Sequence, residues 1–232
     1  MPRPFLTARW EHLILATYAV PESLLRPYLP PDLELDTCDG RCFASLVPFL
    51  FRDTRVFGVR WPGYRTFPEL NLRFYVRHGD RRGVCFVREY VPKRLVAWTA
   101  RHIYNEPYRT ARMSVDVADK VDRLSASFAL IRGERVNRVW ALGAKAVMRP
   151  GADSVEHFFK EHQWGFGRTR DGRLLTYEVN HPEWDVYPVI DYGIDIDWAD
   201  LYGPEWAAMQ DKEPATVTFA VGSEVAVYPK SV

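Results

Sequence analysis

Lys93 stands directly behind a proline in the stretch "REYVPKRL", residues 88 to 95. Only six of the 31 lysines and arginines in the chain are lysines. A chain that writes arginine almost everywhere has used an amine where an apolar strand ends. An amine condenses with a carbonyl to an imine, and a guanidinium is too weak a nucleophile to do so usefully. Pro92 fixes the entry to a helix and puts Lys93 at or near its first position. The helix N-terminus and the neighbouring cation Arg94 are surroundings in which a lysine serves as a nucleophile. Glu89 acts in the opposite sense. By simple alternation it shares a strand face with Val87 and Val91, so it is expected to point into the core side. The plain alternative is that Lys93 is a solvated turn residue.

A second group of candidates lies just upstream. Asn71, Arg73, Tyr75 and Arg77 share one strand face, and Leu72, Phe74 and Val76 share the other. The apolar face is core. If the polar face lines an interior, Arg73 and Tyr75 are ligand contacts; if it meets water, they are surface residues. Arg73 is expected to point inward. Its guanidinium and the excess of base around it suit an anionic small molecule: residues 52 to 112 hold fourteen Lys/Arg against five Asp/Glu. Residues 183 to 213 are acidic, with Lys212 the only base. The two regions offset each other to a net charge of +1.

Other chemistries fail on spacing. "GFGRTRDG" has phosphate-loop glycines but leads into a hairpin turn, not a helix. Cys38 and Cys42 are half a zinc set, and no metal site is expected. His157 and His162 stand five apart, off a common helix face. Asp195 and Asp197 share a strand face that reads as a solvated edge. No Gly-x-Ser-x-Gly elbow occurs. Arginines interleave with Trp61, Tyr64, Phe67, Phe74 and Tyr75, a pattern that nucleic-acid surfaces use. Here the aromatics alternate as core residues do, so no nucleic-acid partner is expected.

The elements that must position these residues are mostly strands. Strand patterns cover 9–20, 111–117, 123–131 and 135–148, and hairpins are expected around Asp39-Gly40 and between Gly79 and Gly83. Residues 55–70 read as a long aromatic loop. Helices are expected over 21–30, 92–104 and 152–164, the last with Asp153 and Glu156 at capping-box spacing. No βαβ rhythm appears, which argues for a mostly antiparallel β-barrel with peripheral helices, an α+β fold in one domain over 1–232. No run of eighteen apolar residues occurs, so no membrane partner is expected. The N-terminus lacks an apolar signal core, and three cysteines are an odd number. A cytoplasmic protein with reduced thiols is expected.

These residues also resemble a known family. Arg88-Glu89 leading to Pro92-Lys93-Arg94 is similar to the acetoacetate decarboxylase motif, in which Arg-Glu leads to Pro-Lys-Lys and the first lysine forms the imine. The strand, short helix and "YLPPDLELD" at the N-terminus follow the same order. Asn71-x-Arg73-x-Tyr75-Val76, Pro107-Tyr108 and His181-Pro182-x-Trp184 resemble motifs of the YqjF-like uncharacterised proteins over nearly the whole chain. The resemblance implies a decarboxylase-like fold, Lys93 as imine former and Arg94 in place of the second lysine. It makes Arg9 the counterpart of the arginine that holds the substrate carboxylate, and it brings His181 and Trp184 toward the site, although such residues are commonly turn and core. The decarboxylase uses paired glutamates. "CFASL" has no acid where the first is expected, and Glu69 is the nearest substitute.

Two functional readings follow. Either Lys93 forms an imine with a small keto acid or β-dicarbonyl compound for lyase, aldol or dehydration chemistry, without a cofactor because the imine is the electron sink. Or the barrel binds a small anion without turning it over. A homo-oligomer is compatible with either.

Overall fold

A computed structural model describes residues 3–101, 105–151, 154–160 and 162–231. In the first half the strands are β1 (Leu6–Val20), β2 (Glu34–Leu35), β3 (Cys42–Val56), β4 (Phe67–His78), β5 (Arg81–Val91) and β6 (Tyr108–Thr110). In the second half they are β7 (Arg112–Asp119), β8 (Arg123–Arg132), β9 (Arg135–Ala144), β10 (Trp164–Arg168), β11 (Leu174–Asn180), β12 (Val186–Tyr187), β13 (Val189–Asp195) and β14 (Thr216–Val227). Among the described residues four short α-helices sit around them: α1 (Glu22–Leu25), α2 (Arg94–Thr99), α3 (Val155–Lys160) and α4 (Trp198–Tyr202). None of the described helices is long and apolar enough to cross a membrane.

One large sheet runs β4-β3-β1-β14-β11-β10-β5, and the pairing of β5 with β4 closes it into a ring. The fold is therefore the expected α+β type, dominated by antiparallel strands; among the described strands β5 alone pairs in parallel with its neighbours, β10 and β6. A second sheet, β13-β9-β8-β7, is antiparallel throughout. Its β8 alternates strictly, with Leu124, Ala126, Phe128 and Leu130 buried, because only one face meets the core.

Strand β4 explains how the two layers are joined. Ten consecutive residues from Phe67 are buried, on both faces. Its outer face, Leu70, Leu72, Phe74 and Val76, packs into one cluster with Phe128 and Leu130 of the second sheet. Truncating Leu72 to alanine would cost roughly 2–5 kcal/mol. The inner face carries Glu69, Asn71 and Arg73 into the ring. A polar row on a doubly buried strand must have something to meet.

The local expectations hold with corrections. Asp39 and Gly40 make the expected turn, both at positive φ, with Cys38 bridged to Arg41. The strands beside it do not pair as a hairpin, however: β2 pairs with β4, because β3 is already flanked by β1 and β4. The aromatic loop ends at Phe67, where β4 starts and Phe67 stacks on Phe51 with ring centroids 4.8 Å apart. β9 stops at Ala144. The helix expected over 92–104 is α2, with Lys93 as its N-cap; residues 102–104 lie outside the described residues. The next helix is α3, in which Ser154 Oγ accepts from the His157 N–H at 3.1 Å; Asp153 lies outside the described residues.

Candidate functional site

The ring encloses a cavity of about 370 Å³. Register shows how its walls are ordered. Strands β3 and β4 face each other as Phe51↔Phe67, Phe49↔Glu69, Val47↔Asn71 and Ser45↔Arg73. Along this path the wall passes from aromatic to acidic to basic. Asn71 is in turn opposite Glu89 on β5, and Glu89 opposite Tyr108 on β6. One polar belt thus crosses three strands.

A bulge puts Glu89 in that belt. Leu72 pairs with Arg88, but Arg73 pairs with Phe86, so β5 carries one extra residue at this level. The bulge reverses alternation: Val84, Phe86 and Glu89 line the cavity, while Val87 packs in the outer core. Glu89 points inward as expected, but it does not share a face with Val87.

Three carboxyl groups meet here, Glu69, Glu89 and Glu106, all buried. Asn71 Nδ2 donates to Glu69 at 3.2 Å, and Tyr108 donates to it at 2.9 Å. Tyr177 donates to Glu106. Burial pushes Glu69 up to about 7, against the pull of these two donors. Burial, with the charge of Glu69, raises Glu106 to about 8. Glu89 is held well above the usual carboxylate range by burial, then by Glu106 and Glu69. Protons on these acids belong to the cluster, which titrates as a unit. At neutral pH it holds carboxylic acids that can donate and accept. One oxygen each of Glu89 and Glu106 and the Oδ1 of Asn71 are buried with no partner in the protein.

The deep end carries basic side chains. Arg73 lines the cavity, donates through Nη2 to the Phe159 carbonyl at 3.1 Å, and leaves its Nε buried without a partner. Lys160, 1% exposed, lines the cavity at the end of α3. His162 lies beside them; burial, Arg73 and Arg82 push its pKa well below 6.5, so it is neutral at pH 7. One glycine makes room for the other wall. A Cβ at Gly165 of β10 would collide with the Tyr177 ring, and one at Gly167 would come within 3.6 Å of Glu106. The "GFG" that resembles a phosphate loop is the backing of the acid cluster.

The residues singled out in the sequence divide. Glu69, Glu89, Arg73, His181 and Trp184 line the cavity. His181 stacks on Trp184 at 4.3 Å, and Trp184 Nε1 donates to Ser223 at 2.7 Å. Tyr75 stands behind the wall, hydrogen-bonded to Ser45 and 4.9 Å from the His162 ring. Lys93 does not line the cavity. Its Nζ lies 5.8 Å from the centroid of Tyr64, a lining residue of the outer part. Arg94 is exposed. Arg9 is half exposed and pairs with Glu11 at 3.1 Å and with Glu224 at 3.6 Å, away from the cavity. Asp195 is engaged by Arg135, and Asp197 caps α4, accepting from the Asp200 N–H at 2.9 Å.

Sequence reasoning passed over Lys160, Glu106 and Tyr177 and rejected His162. Tyr108 stood in a family motif, and Glu106 two residues before it was within reach of the same signal. Gly165 of β10 marked a close approach to the Tyr177 ring. Lys160 carried no signal, for "FFKEH" reads as an ordinary helix end.

Comparison with known proteins agrees with this architecture. The family DUF2071, "Uncharacterized conserved protein (COG2071)", matches residues 7–224. "Uncharacterized protein YqjF" of Bacillus subtilis (strain 168) is 36% identical over 183 residues, 75% of this chain and 72% of that protein. Among solved structures, the enduracididine biosynthesis enzyme MppR, complexed with the condensation product of pyruvate and imidazole 4-carboxaldehyde, superposes with a TM-score of 0.65 and 14% identity, covering 100% of this chain and 89% of that one. Acetoacetate decarboxylase from Legionella pneumophila gives 0.61 and 16%, over 99% and 85%. A further acetoacetate decarboxylase structure gives 0.65 and 14%, over 100% and 90%. At these identities the likeness establishes the acetoacetate decarboxylase-like fold.

Proposed function

The chain belongs to the DUF2071 family, and from that premise we propose that it is an enzyme that acts on a keto acid in the ring cavity through a lysine imine. The observation that carries the reading is the meeting, in one cavity, of three buried carboxylic acids with a buried amine and a buried guanidinium. Arg73 holds the substrate carboxylate. Lys160 Nζ attacks the carbonyl carbon, and the carbonyl oxygen leaves as water with protons supplied by the amine and the acid cluster. The iminium then takes up the electron pair of an adjacent bond, as lyase, aldol and dehydration reactions require. A carboxylic acid of Glu69, Glu89 or Glu106 returns a proton to carbon. Water hydrolyses the imine and frees the amine. The family fold, shared with a decarboxylase and with an enzyme whose complex contains a pyruvate condensation product, supports the same class.

Two alternatives have their own support. The Pro-Lys-Arg sequence favours Lys93 as the imine former, and Tyr64 connects it to the outer cavity. The position of Lys93 outside the wall favours an anion-binding protein without turnover.

Borohydride reduction of the protein with a panel of 2-oxo and 3-oxo acids, read by intact mass, tests the proposal. One adduct per chain, heavier by the acid less one oxygen atom, is expected. Saturable binding of the acids with no adduct from any of them would leave the binding reading in its place.

A further inference from the structure

Loop and helix residues at the outer end of the cavity are conspicuously apolar. Phe57 is 73% exposed, Trp61 52% and Leu95 49%, yet all three line the cavity. Phe57 and Gly58 form a two-residue turn, at φ 51° and 78°, closed by reciprocal hydrogen bonds of 3.0 Å between Val56 and Val59. A phenylalanine at positive φ is strained, and such strain persists where the position is used. From this rim the β3 wall continues inward as Phe51, Phe49 and Val47, an apolar strip about 13 Å long at ~3.3 Å per residue. The inner part of the strip faces the acid belt, with Phe49 opposite Glu69 and Val47 opposite Asn71, and Arg73 and Lys160 line the cavity beyond it.

We infer that the substrate is an amphipathic keto acid: a carboxylate and carbonyl at the deep end, joined to an apolar chain or ring that runs up the aromatic wall to the rim. This rests on the keto-acid reading above and adds the tail. Three features demand it. Glu69, Asn71 and Arg73 lie opposite Phe49, Val47 and Ser45, so a compact acid bound among them would leave Phe51 and the rim uncovered. The cavity falls in the range of roughly 300–1,000 Å³ that holds drug-sized molecules. And the exposed rim is continuous with the wall, so a tail that outgrows the strip still meets Phe57 and Trp61.

Calorimetric titration of the full chain with pyruvate, 2-oxobutanoate, 2-oxohexanoate and 2-oxooctanoate, beside saturated carboxylates of equal length, tests the inference. Affinity should rise about fourfold per added methylene, the equivalent of about 0.8 kcal/mol each. Lengthening the series to 2-oxohexadecanoate, which outgrows the strip, should bring the tail to the rim, where Phe57→Gly, which suits the positive φ, and Trp61→Ala remove the gain beyond 2-oxooctanoate and leave pyruvate unchanged. Affinity flat or falling with length in both series overturns the inference, as does a rim that instead pairs two copies in a concentration-dependent dimer lost in Trp61→Ala. If both series tighten with length while borohydride captures no keto acid, the tail stands and the imine falls.

Discussion

Lys93 and Lys160 are two lysines with opposite visibility. Lys93 sits in a conspicuous local setting: a proline before it, an arginine after it, and a helix to cap. Its ammonium nevertheless lies over Tyr64 and outside the cavity wall. Lys160 has an unremarkable setting at the end of a six-residue helix, and its side chain is buried in that wall. Chemistry at a site follows what meets through space. Of the two, only Lys160 shares an enclosed volume with Arg73 and the carboxyl cluster.

The largest expected effect is on this contrast. Lys160→Met, which keeps an unbranched apolar side chain, should abolish borohydride capture of keto acids. Lys93→Met should retain most of it. Circular dichroism and thermal melting of both variants verify that each remains folded.

Next in size is the anchor. Arg73→Ala should weaken binding of 2-oxo acids about 10- to 100-fold, the effect of losing a hydrogen bond to a charged group in a buried site. The half-exposed Arg9 is the control on the other side: Arg9→Ala should leave affinity within about threefold. Equal losses in both would break the assignment of the deep end as the carboxylate site.

The acid cluster gives a pH signature of known sign. Glu69 and Glu106 hold protons in the folded chain up to about 7 and about 8, whereas unfolded they release them near 4.5. The folded state therefore binds more protons between these limits, and this contribution to stability falls as pH rises from about 4.5 to 8. His162 acts oppositely: held neutral when folded, it lowers stability as pH drops below 6.5. Glu106→Gln should raise the melting temperature at pH 8.5 and leave it nearly unchanged at pH 5. A melting temperature shifted equally at both values would mean that Glu106 is not held protonated by its surroundings.

The smallest effect belongs to Tyr64. Its ring faces the Lys93 cation at 5.8 Å, at an open site where such contacts are worth about 0.5–1 kcal/mol. Tyr64→Leu should lower stability by no more than that and leave imine capture intact if Lys160 is the amine.

How much of this the sequence reveals depends on the range of the interaction. Strand alternation identified the inner face of β4 and with it Arg73, because period two is a local property. Alternation failed on β5, where a single extra residue at the bulge separates Glu89 from Val87; nothing in "FVREY" announces a bulge. The β2 pairing was misread because an Asp-Gly turn specifies a reversal of the chain but not which strand lies alongside it. Arg9 stood on the right strand by resemblance to the decarboxylase, yet β1 turns it outward to Glu11 and Glu224. Glu106, Tyr177 and Lys160 come from three separate segments, and only ring closure brings them together.

The most direct measurement is site-resolved. The wild-type chain is reduced with borohydride in the presence of 2-oxooctanoate, digested, and sequenced by tandem mass spectrometry. The modified peptide is expected to carry the adduct on Lys160. An adduct confined to Lys93, with Lys160 unmodified, would contradict that assignment.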